Sequence, residues 1–364
     1  MGRATTILRM GRIFNFAAGP GPLPDAVRER LAEQLAPSLD GTPSPLEVSH
    51  RGPQFAAVAE ALHEGLRAAL RLTDHHELLL MPGGAQFQFA LLPMNLAAGR
   101  PVAYIESGYW SRMAMEQARA VADVHVVASG ASTRFTDLPV LGEVPADAAY
   151  LHYCGNETIH GLQYAEPPQA DVPLVADLSS EILSRPYPME RLGVAYACAQ
   201  KNLGIAGLTV LVIRRDLLEG APTGLPSMLD YRAWAASSSM QNTPCGAAWL
   251  TMVEMLAWLQ REGGVEEMAR RNAAKAAALY ACLDRHACYV NPVAPLARSQ
   301  MNAVFRLLDP DREADFLREA AAAGLVGLDG HRAVGGMRVS MYNAVPITAV
   351  TTLIEFLDDY AARW

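Results

Sequence analysis

Two neighbouring stretches decide the fold: Val172-Pro173-Leu174-Val175-Ala176-Asp177-Leu178-Ser179-Ser180, and Val194-Ala195-Tyr196-Ala197-Cys198 leading through Ala199-Gln200-Lys201-Asn202-Leu203-Gly204 to Leu208-Thr209-Val210-Leu211-Val212-Ile213. The apolar runs are short, continuous and bounded by polar or glycine residues, as expected of strands buried on both faces. Four more runs have the same character: Glu77–Met81, Val102–Ile105, Val124–Val127 and Ala149–Tyr153. Several alternate with helical segments. Phe55, Val58, Leu62, Leu66 and Leu70 recur at helical spacing and predict a helix over 54–71, and 246–262 predicts another, stopped by Gly263-Gly264. Such alternation implies βαβ units around a mostly parallel sheet, which binds ligands beyond the carboxyl ends of its strands.

Beyond residue 262 the pattern changes. Helical stretches at 265–285, 311–323 and 347–362 surround weaker strands near 287–291, 301–307 and 336–341. The expected organisation is a large α/β domain over 13–262, including an N-terminal arm, and a smaller α+β domain over 263–364.

Composition narrows the function. The chain has 364 residues, 51% hydrophobic and 19% charged, so a full core is available and disorder is excluded. A net charge of -8 argues against a nucleic-acid partner, and no apolar run approaches membrane-spanning length. Five cysteines, with no C-x-x-C spacing, suit a reduced cytoplasmic protein with buried thiols. The first twelve residues lack the apolar region of a secretory signal, and Met10 is an alternative start to Met1. Met1-Gly2 with Thr6 fits a myristoylation pattern only formally. The G-x-G-x-x-G, Walker A, H-E-x-x-H and G-x-S-x-G patterns are all missing, and the histidines are not at metal-ligand spacing.

Of the thirty Lys plus Arg residues only Lys201 and Lys275 are lysines, so amine chemistry has two candidates. Lys275, in an Ala-rich helical stretch, reads as a solvated helix residue. Lys201 falls in a strand-end loop opening on the ligand crevice. Three further features converge there. Asp177 ends a buried run, where a carboxylate needs a partner such as a pyridinium nitrogen. Met81-Pro82-Gly83-Gly84-Ala85-Gln86 leads from a strand into a helix starting near Ala85, a setting that favours phosphate. Ser107-Gly108-Tyr109-Trp110 puts an aromatic ring at a strand end. Each feature taken alone is also compatible with an ordinary turn, cap or core residue. Together they supply what pyridoxal 5'-phosphate requires: an amine, a pyridinium partner, a phosphate cradle and a stacking face.

From about Ile13 to Tyr360 the chain resembles the phosphoserine aminotransferases, a family of class V, fold-type I pyridoxal-phosphate enzymes. The resemblance rests on Phe14-Asn15-Phe16 with Gly19-Pro20, Glu47-Val48-Ser49-His50-Arg51-Gly52, Ser107-Gly108-Tyr109-Trp110 and His152-Tyr153-Cys154-Gly155-Asn156-Glu157-Thr158-Ile159. It continues through Ala176-Asp177-Leu178-Ser179-Ser180, Ala199-Gln200-Lys201-Asn202, Asn242-Thr243-Pro244, Gly330-His331-Arg332 and Gly335-Gly336-Met337-Arg338. It implies that Lys201 binds the cofactor covalently and shuttles the proton, and that Asp177 keeps the ring nitrogen protonated. Trp110 would stack on the ring and Thr158 would bond near its 3-oxygen. Ala85 and Gln86, helped by Ser179 and Gln200, would hold the phosphate, and Asn242 and Thr243 would reach it from the neighbouring subunit of a homodimer.

The family position also gives the cationic side chains roles. His50, Arg51, His331 and Arg332 would hold the substrate's distal phosphate or carboxylate, and Arg338 its α-carboxylate, since arginine binds such groups bidentately. The implied reaction moves an amino group from L-glutamate to 3-phosphohydroxypyruvate in serine biosynthesis, with a phosphohydroxythreonine step of pyridoxine biosynthesis as a second use. Gly155 stands where Pro or Asn is usual, Cys198 where Gly is frequent, and Gln86 where part of the family has Arg. A fold-type I aminotransferase for another keto acid, and a module that binds the cofactor without turnover, are the competing readings. A nicotinamide dehydrogenase is disfavoured because the glycine fingerprint is missing.

Overall fold

The computed structural model describes residues 13–35, 41 and 43–364. Met1, Gly2, Thr6 and Met10, and with them the start and the myristoylation pattern, lie outside the described residues. Among the described residues, all seven apolar runs are strands of one sheet. These are β1 (His76–Pro82), β2 (Val102–Glu106), β3 (Val124–Ser129), β4 (Leu151–Cys154), β5 (Leu174–Asp177), β6 (Val194–Cys198) and β7 (Leu208–Arg214). Their spatial order is β3-β2-β4-β5-β6-β7-β1. Neighbours are parallel except at β7, which runs antiparallel to both β6 and β1.

The central strands β4, β5 and β6 are buried on both faces, whereas the edge strand β3 is partly exposed and carries His125 and Ser129. Successive side chains point to opposite faces. On one face Leu78, Ile105, Tyr153, Ala176 and Ala197 pack with the helices Pro53–Ala69 and Gly246–Arg261. On the other, Leu79, Tyr104, Val175, Tyr196 and Cys198 pack with the helices Gln86–Leu96 and Tyr109–Ala118. No residue of β4, β5 or β6 is exposed, so any charge at their ends is shielded from bulk water.

Gly263 and Gly264, at φ of 98° and 77°, make the left-handed turn from the helix Gly246–Arg261 into Gly264–Arg285. The C-terminal strands Tyr289–Val290, Asn302–Leu307 and Met337–Ser340 form a separate antiparallel sheet. A third cluster joins this sheet to the helices Glu313–Ala322 and Ile347–Ala361. The N-terminal segment belongs to it as well. Phe14–Asn15 pairs in parallel with Leu325–Val326, and Phe16 is fully buried in the cluster. Among the described residues no helix is long and apolar enough to cross a membrane. All five cysteines are free; four are buried, and Cys245 is exposed.

One expectation fails. Lys275 is not a solvated helix residue but one of the most buried side chains of the chain, 2% exposed. Its Nζ donates to the carbonyls of Met341, Tyr342 and Val345 at 2.9, 3.0 and 3.0 Å. An ammonium has three donors, and the turn at 341–345 offers three acceptors, so a polar end can be buried without loss. The Ala-rich context hid this, because small neighbours let the turn close over the helix. Burial, aided by the charge of Arg271, pushes the amine down to about 7.

Replacing this residue tests the clamp. Lys275→Met strands three buried carbonyls and should lower the free energy of unfolding by about 3 kcal/mol, roughly one for each carbonyl, read from urea denaturation. The amine titrates near 7 in the folded chain against 10.5 when free, so the unfolded chain holds the extra proton between those values. The stability advantage of the native chain over Lys275→Met should therefore grow as pH rises from 7 towards 10. A flat difference across that window would show that the three carbonyls keep the amine charged in the folded chain and that burial does not lower it.

Candidate active site

The carboxyl ends of the parallel strands converge on one edge of the sheet. β5 ends in Asp177, β6 leads to Gln200 and Lys201, β2 to Trp110, β4 to Thr158 and β1 to Ala85. Antiparallel β7 begins at the same edge. Leu208 lies opposite Pro82, Thr209 Oγ1 donates to the Gly83 carbonyl at 3.1 Å, and Gly83 N donates to that of Gly207 at 3.1 Å. These bonds pin the Gly83-Gly84 turn. Gly83 has φ of 91°, and a Cβ there would lie 2.7 Å from the Phe87 ring. The helix Gln86–Leu96 follows with no side-chain cap at Ala85; Phe87 N and Gln88 N donate to the Gly84 and Ala85 carbonyls, which leaves the N–H groups of Ala85 and Gln86 available to an anion.

Asp177 is buried, and its Oδ1 accepts from Ser179 N at 2.9 Å. Burial pushes its carboxyl above the usual range; the Ser179 hydrogen bonds and the charge of Lys201 oppose that shift without cancelling it. Lys201 keeps part of its stem open, but its amine end is enclosed by protein. Burial alone would lower the amine, yet the neighbouring Tyr342, Cys198 and Asp177 carry it above the ordinary lysine value. The N-terminal segment wraps this lysine. Gly21 N donates to the Gln200 carbonyl at 2.8 Å, and a Cβ on Gly19 would touch the Lys201 side chain at 3.7 Å.

Trp110 sits in the first turn of the helix Tyr109–Ala118. That turn is capped across the fold by Glu157, whose Oε2 accepts from Trp110 N at 3.0 Å and whose Oε1 accepts from Ser111 N at 2.9 Å. A buried carboxylate on a helix N-terminus offsets the macrodipole and fixes the indole. Burial raises the Glu157 carboxyl, and these two N–H groups pull it back. A Cβ at Gly108 would meet the Glu157 carboxyl carbon at 2.7 Å, so only glycine allows the approach. Sequence reasoning quoted Glu157 within a motif but gave it no role, because its partners are more than forty residues away.

The polar side chains facing this edge fit the expected cofactor. Trp110 Nε1, Thr158 Oγ1 and Gln200 Oε1 are buried with no hydrogen-bond partner among the described residues, as is Arg338 Nε on the separate C-terminal sheet. Buried polar atoms are normally paired, so a set of this kind at one sheet edge marks a polar ligand's place. Their donors and acceptors, with the Asp177 carboxylate and the Lys201 amine, match the atoms of pyridoxal phosphate.

The cationic residues fall into two groups. His331 packs its ring on Tyr109 at 5.0 Å, and Tyr109 lies edge-on to Trp110 at 5.3 Å. The 330–336 loop is tight: Gly330 N donates to the Gly336 carbonyl at 2.8 Å, and a Cβ at Gly330 would collide with the Gly335 carbonyl. Arg338 is buried and burial lowers its guanidinium, while Arg332 is exposed. His50 instead lines a cavity of about 310 Å³ with Thr243 and Pro244. Within one chain the structure thus groups His50 with Thr243; Arg51 and Asn242 are exposed beside them in sequence.

A larger cavity, about 900 Å³, lies away from these residues, between the N-terminal segment and the helix Gly264–Arg285 beside Lys275. Two of its arginines, Arg270 and Arg271, are already paired with Glu267 and Glu262. Cys282, His286 and Asp358 form a three-residue cluster of metal-ligand types in the C-terminal part. Arg285 donates to the same Asp358 oxygen at 2.6 Å, so the cluster is an ion-pair network at a helix end.

The structure explains one departure from the family pattern. A Cβ at Gly155 would overlap Glu181 Oε1 and lie 3.0 Å from Leu178. Glu181 is fully buried, its other oxygen held by Gln163 Nε2 at 2.8 Å and by Arg185. Gly155 therefore leaves room for a carboxyl group that the usual Pro or Asn would displace. Cys198 packs into the second face of the sheet, and Gln86 is exposed.

With this geometry established, comparison gives the family. The sequence pattern described as Aminotransferase class-V matches residues 13–353. The chain belongs to the class-V aminotransferases. It is 44% identical over 353 residues to the phosphoserine aminotransferase of Pseudomonas entomophila, covering 96% of this chain and 98% of that one. The phosphoserine aminotransferase of Bacillus circulans subsp. alkalophilus superposes with a TM-score of 0.94 at 37% identity, covering 97% of this chain and 99% of that one. A pyridoxal-phosphate-bound phosphoserine aminotransferase from Trichomonas vaginalis superposes with a TM-score of 0.91 at 34% identity, covering 95% and 100%. The fold is that of the fold-type I transferases, as the α/β pattern of the sequence implied.

The packing at Gly155 can be checked by a double-mutant cycle. Gly155→Ala should destabilise the chain by about 1–3 kcal/mol through overpacking. In a Glu181→Ala background the same change should cost at least about 1 kcal/mol less, since the overlapping group is gone. Additive effects in thermal denaturation would show that the two positions do not compete for the same space.

Proposed function

We propose that this chain is a pyridoxal-phosphate-dependent transaminase that moves the amino group of L-glutamate to 3-phosphohydroxypyruvate, yielding O-phospho-L-serine and 2-oxoglutarate, the transamination of L-serine biosynthesis. The observation that supports this reading is Lys201 and Asp177 at adjoining strand ends, with partnerless buried polar atoms on Trp110, Thr158 and Gln200 and with His331 packed on Tyr109 beside Trp110. When bound, pyridoxal phosphate supplies an aldehyde that condenses with amines and a protonated ring that draws electron density from the substrate's Cα.

The remaining roles belong to the protein. Lys201 Nζ takes the proton from the substrate's Cα and returns it, a general base and acid in turn. Asp177 holds the proton at the ring nitrogen, and its burial strengthens that charge interaction. Trp110 covers one ring face and excludes water. Thr158 and Gln200 orient the ring substituents, and Ser179 joins the N–H groups of Ala85 and Gln86 on the phosphate. Arg338 orients the α-carboxylate, while His331 and Arg332 take the distal anionic group, a phosphate in one half-reaction and a carboxylate in the other. Arginine's planar fork suits both.

His50 shares its cavity with Thr243, and Arg51 and Asn242 are their exposed neighbours in sequence, so we read these four residues as one set. In a homodimer that set would enter the neighbouring subunit's site, completing both the phosphate cradle and the distal anion site. The division into domains at 13–262 and 263–364 is drawn at the change from the parallel sheet to the small antiparallel one, with the N-terminal arm of the first packed into the second through Phe14–Asn15 and Phe16. Free cysteines throughout suit a reducing, cytoplasmic setting.

The test is a half-reaction. The yellow holoenzyme, mixed separately with phosphoserine, glutamate and serine, should lose its visible absorbance with the first two only. Bleaching by serine but not by phosphoserine would sink the proposal. Lys201→Ala should reduce turnover below detection, and Arg338→Ala should raise KM for both substrates about ten- to hundred-fold, as expected for losing a charged hydrogen bond. Undiminished turnover in Lys201→Ala would reject the mechanism.

A further inference from the structure

Behind Asp177 lies a buried polar chain that the reaction outlined above does not use. β5 and β6 pair so that Asp177 stands opposite Tyr196, whose hydroxyl favours the charged Asp177 carboxyl and is itself raised by it. The Tyr196 hydroxyl is also 2.9 Å from His152 Nε2. His152, on β4, stacks on Tyr104 of β2 at 4.7 Å, and Tyr104 is fixed in turn by a 2.9 Å hydroxyl contact with Tyr150. All of these groups are buried.

The hydrogen-bond inventory gives this chain a direction. His152 Nδ1 is buried with no partner among the described residues. A lone pair left without a donor costs less than an N–H left without an acceptor, so the imidazole proton sits on Nε2. It is donated to the Tyr196 oxygen, and the one tyrosine proton is then directed at Asp177. Burial keeps His152 neutral by pushing it down to about 3, and burial also carries Tyr196 well above the usual tyrosine range. Neither group changes charge near neutral pH.

Asp177 needs such a donor. It is buried, and the buried carboxyls of Glu157 and Glu181 act against its charge, as does the Cys154 thiol whenever that ionises. The groups that favour its charge are the Ser179 bonds, Lys201 and the Tyr196 hydroxyl. A neutral Asp177 could not hold the ring nitrogen protonated. Resting on the functional reading above, we propose that His152 and Tyr196 are positioning residues for amino transfer: a one-way hydrogen-bond chain that holds Asp177 ionised and aimed at the cofactor's ring nitrogen.

The experiment reads the cofactor directly. Apoprotein is loaded with pyridoxal phosphate labelled with ¹⁵N in the ring, and the nitrogen shift and the dissociation constant are measured without any amino acid. Tyr196→Phe keeps the ring and removes the donor. The ring nitrogen should move towards its unprotonated shift, the cofactor should bind about ten-fold more weakly, and kcat should fall about ten-fold with KM for glutamate within two-fold. His152→Phe should move the shift in the same direction by less.

A second measurement needs no variant: ¹⁵N-histidine spectra of the native holoenzyme should show His152 as the Nε2–H tautomer, unchanged from pH 5 to 8. A Tyr196→Phe protein that melts earlier but keeps the native nitrogen shift and affinity would overturn the proposal, leaving Tyr196 a packing residue. So would an Nδ1–H tautomer. If the native chain bound no pyridoxal phosphate, the functional reading itself would fall and this one with it.

Discussion

A carboxylate and an amine, Asp177 and Lys201, are held at the carboxyl edge of a sheet whose central strands have no exposed residue. The rest of the site follows from the cost of putting them there. Each buried ion forfeits several kcal/mol of hydration, which attraction alone repays only in good geometry and with further hydrogen bonds. The strand order supplies that geometry. Lys201 lies just beyond β6, Asp177 ends the adjacent β5, and Ser179 joins the two by donating to Asp177 and accepting from Cys198 N. A rigid sheet holds the pair without relying on long flexible side chains, so the charges are preorganised for a cofactor with an aldehyde at one end and a basic nitrogen at the other.

Other buried polar groups support this architecture through partners distant in sequence. Glu157 on β4's far loop caps the helix that carries Trp110, which places the aromatic face. Lys275 holds the 341–345 turn by its carbonyls. From that turn Asn343 N donates to Asn202 Oδ1 at 2.9 Å, and Asn343 Nδ2 donates to the Leu183 carbonyl at 2.8 Å. The C-terminal part is therefore fastened to the residue next to Lys201 by directional bonds, as well as by apolar packing. Glycines at 19, 21, 108 and 155 mark where backbone must pass close to these groups. Their absent side chains shape the site as much as the side chains present.

Much of the architecture was legible along the chain. Most of the strands were short, mainly apolar runs, because burial on both faces leaves few positions for a polar side chain. Asp177 and Lys201 stood out by the same logic, as polar residues where such a run stops. The antiparallel sense of β7 was not legible, since Leu208–Ile213 is as uniformly apolar as its parallel neighbours and direction leaves no mark on composition. Lys275 was misjudged because an alanine-rich helix has no strong polar face, so sequence periodicity could not tell which side would be covered.

By itself, the sequence determined the fold class, the sheet's members and which lysine and carboxylate stand at its strand ends, because these depend on local patterns of burial and on residue type. Only the tertiary structure decided how those groups are supported: Glu157 beneath Trp110, Glu181 against Gly155, Lys275 beneath the 341–345 turn, and Tyr196 and His152 behind Asp177. These partners lie on separate elements, and hydrogen bonding depends on ångström distances and directions in space. No spacing along the chain encodes that until the strands are laid side by side.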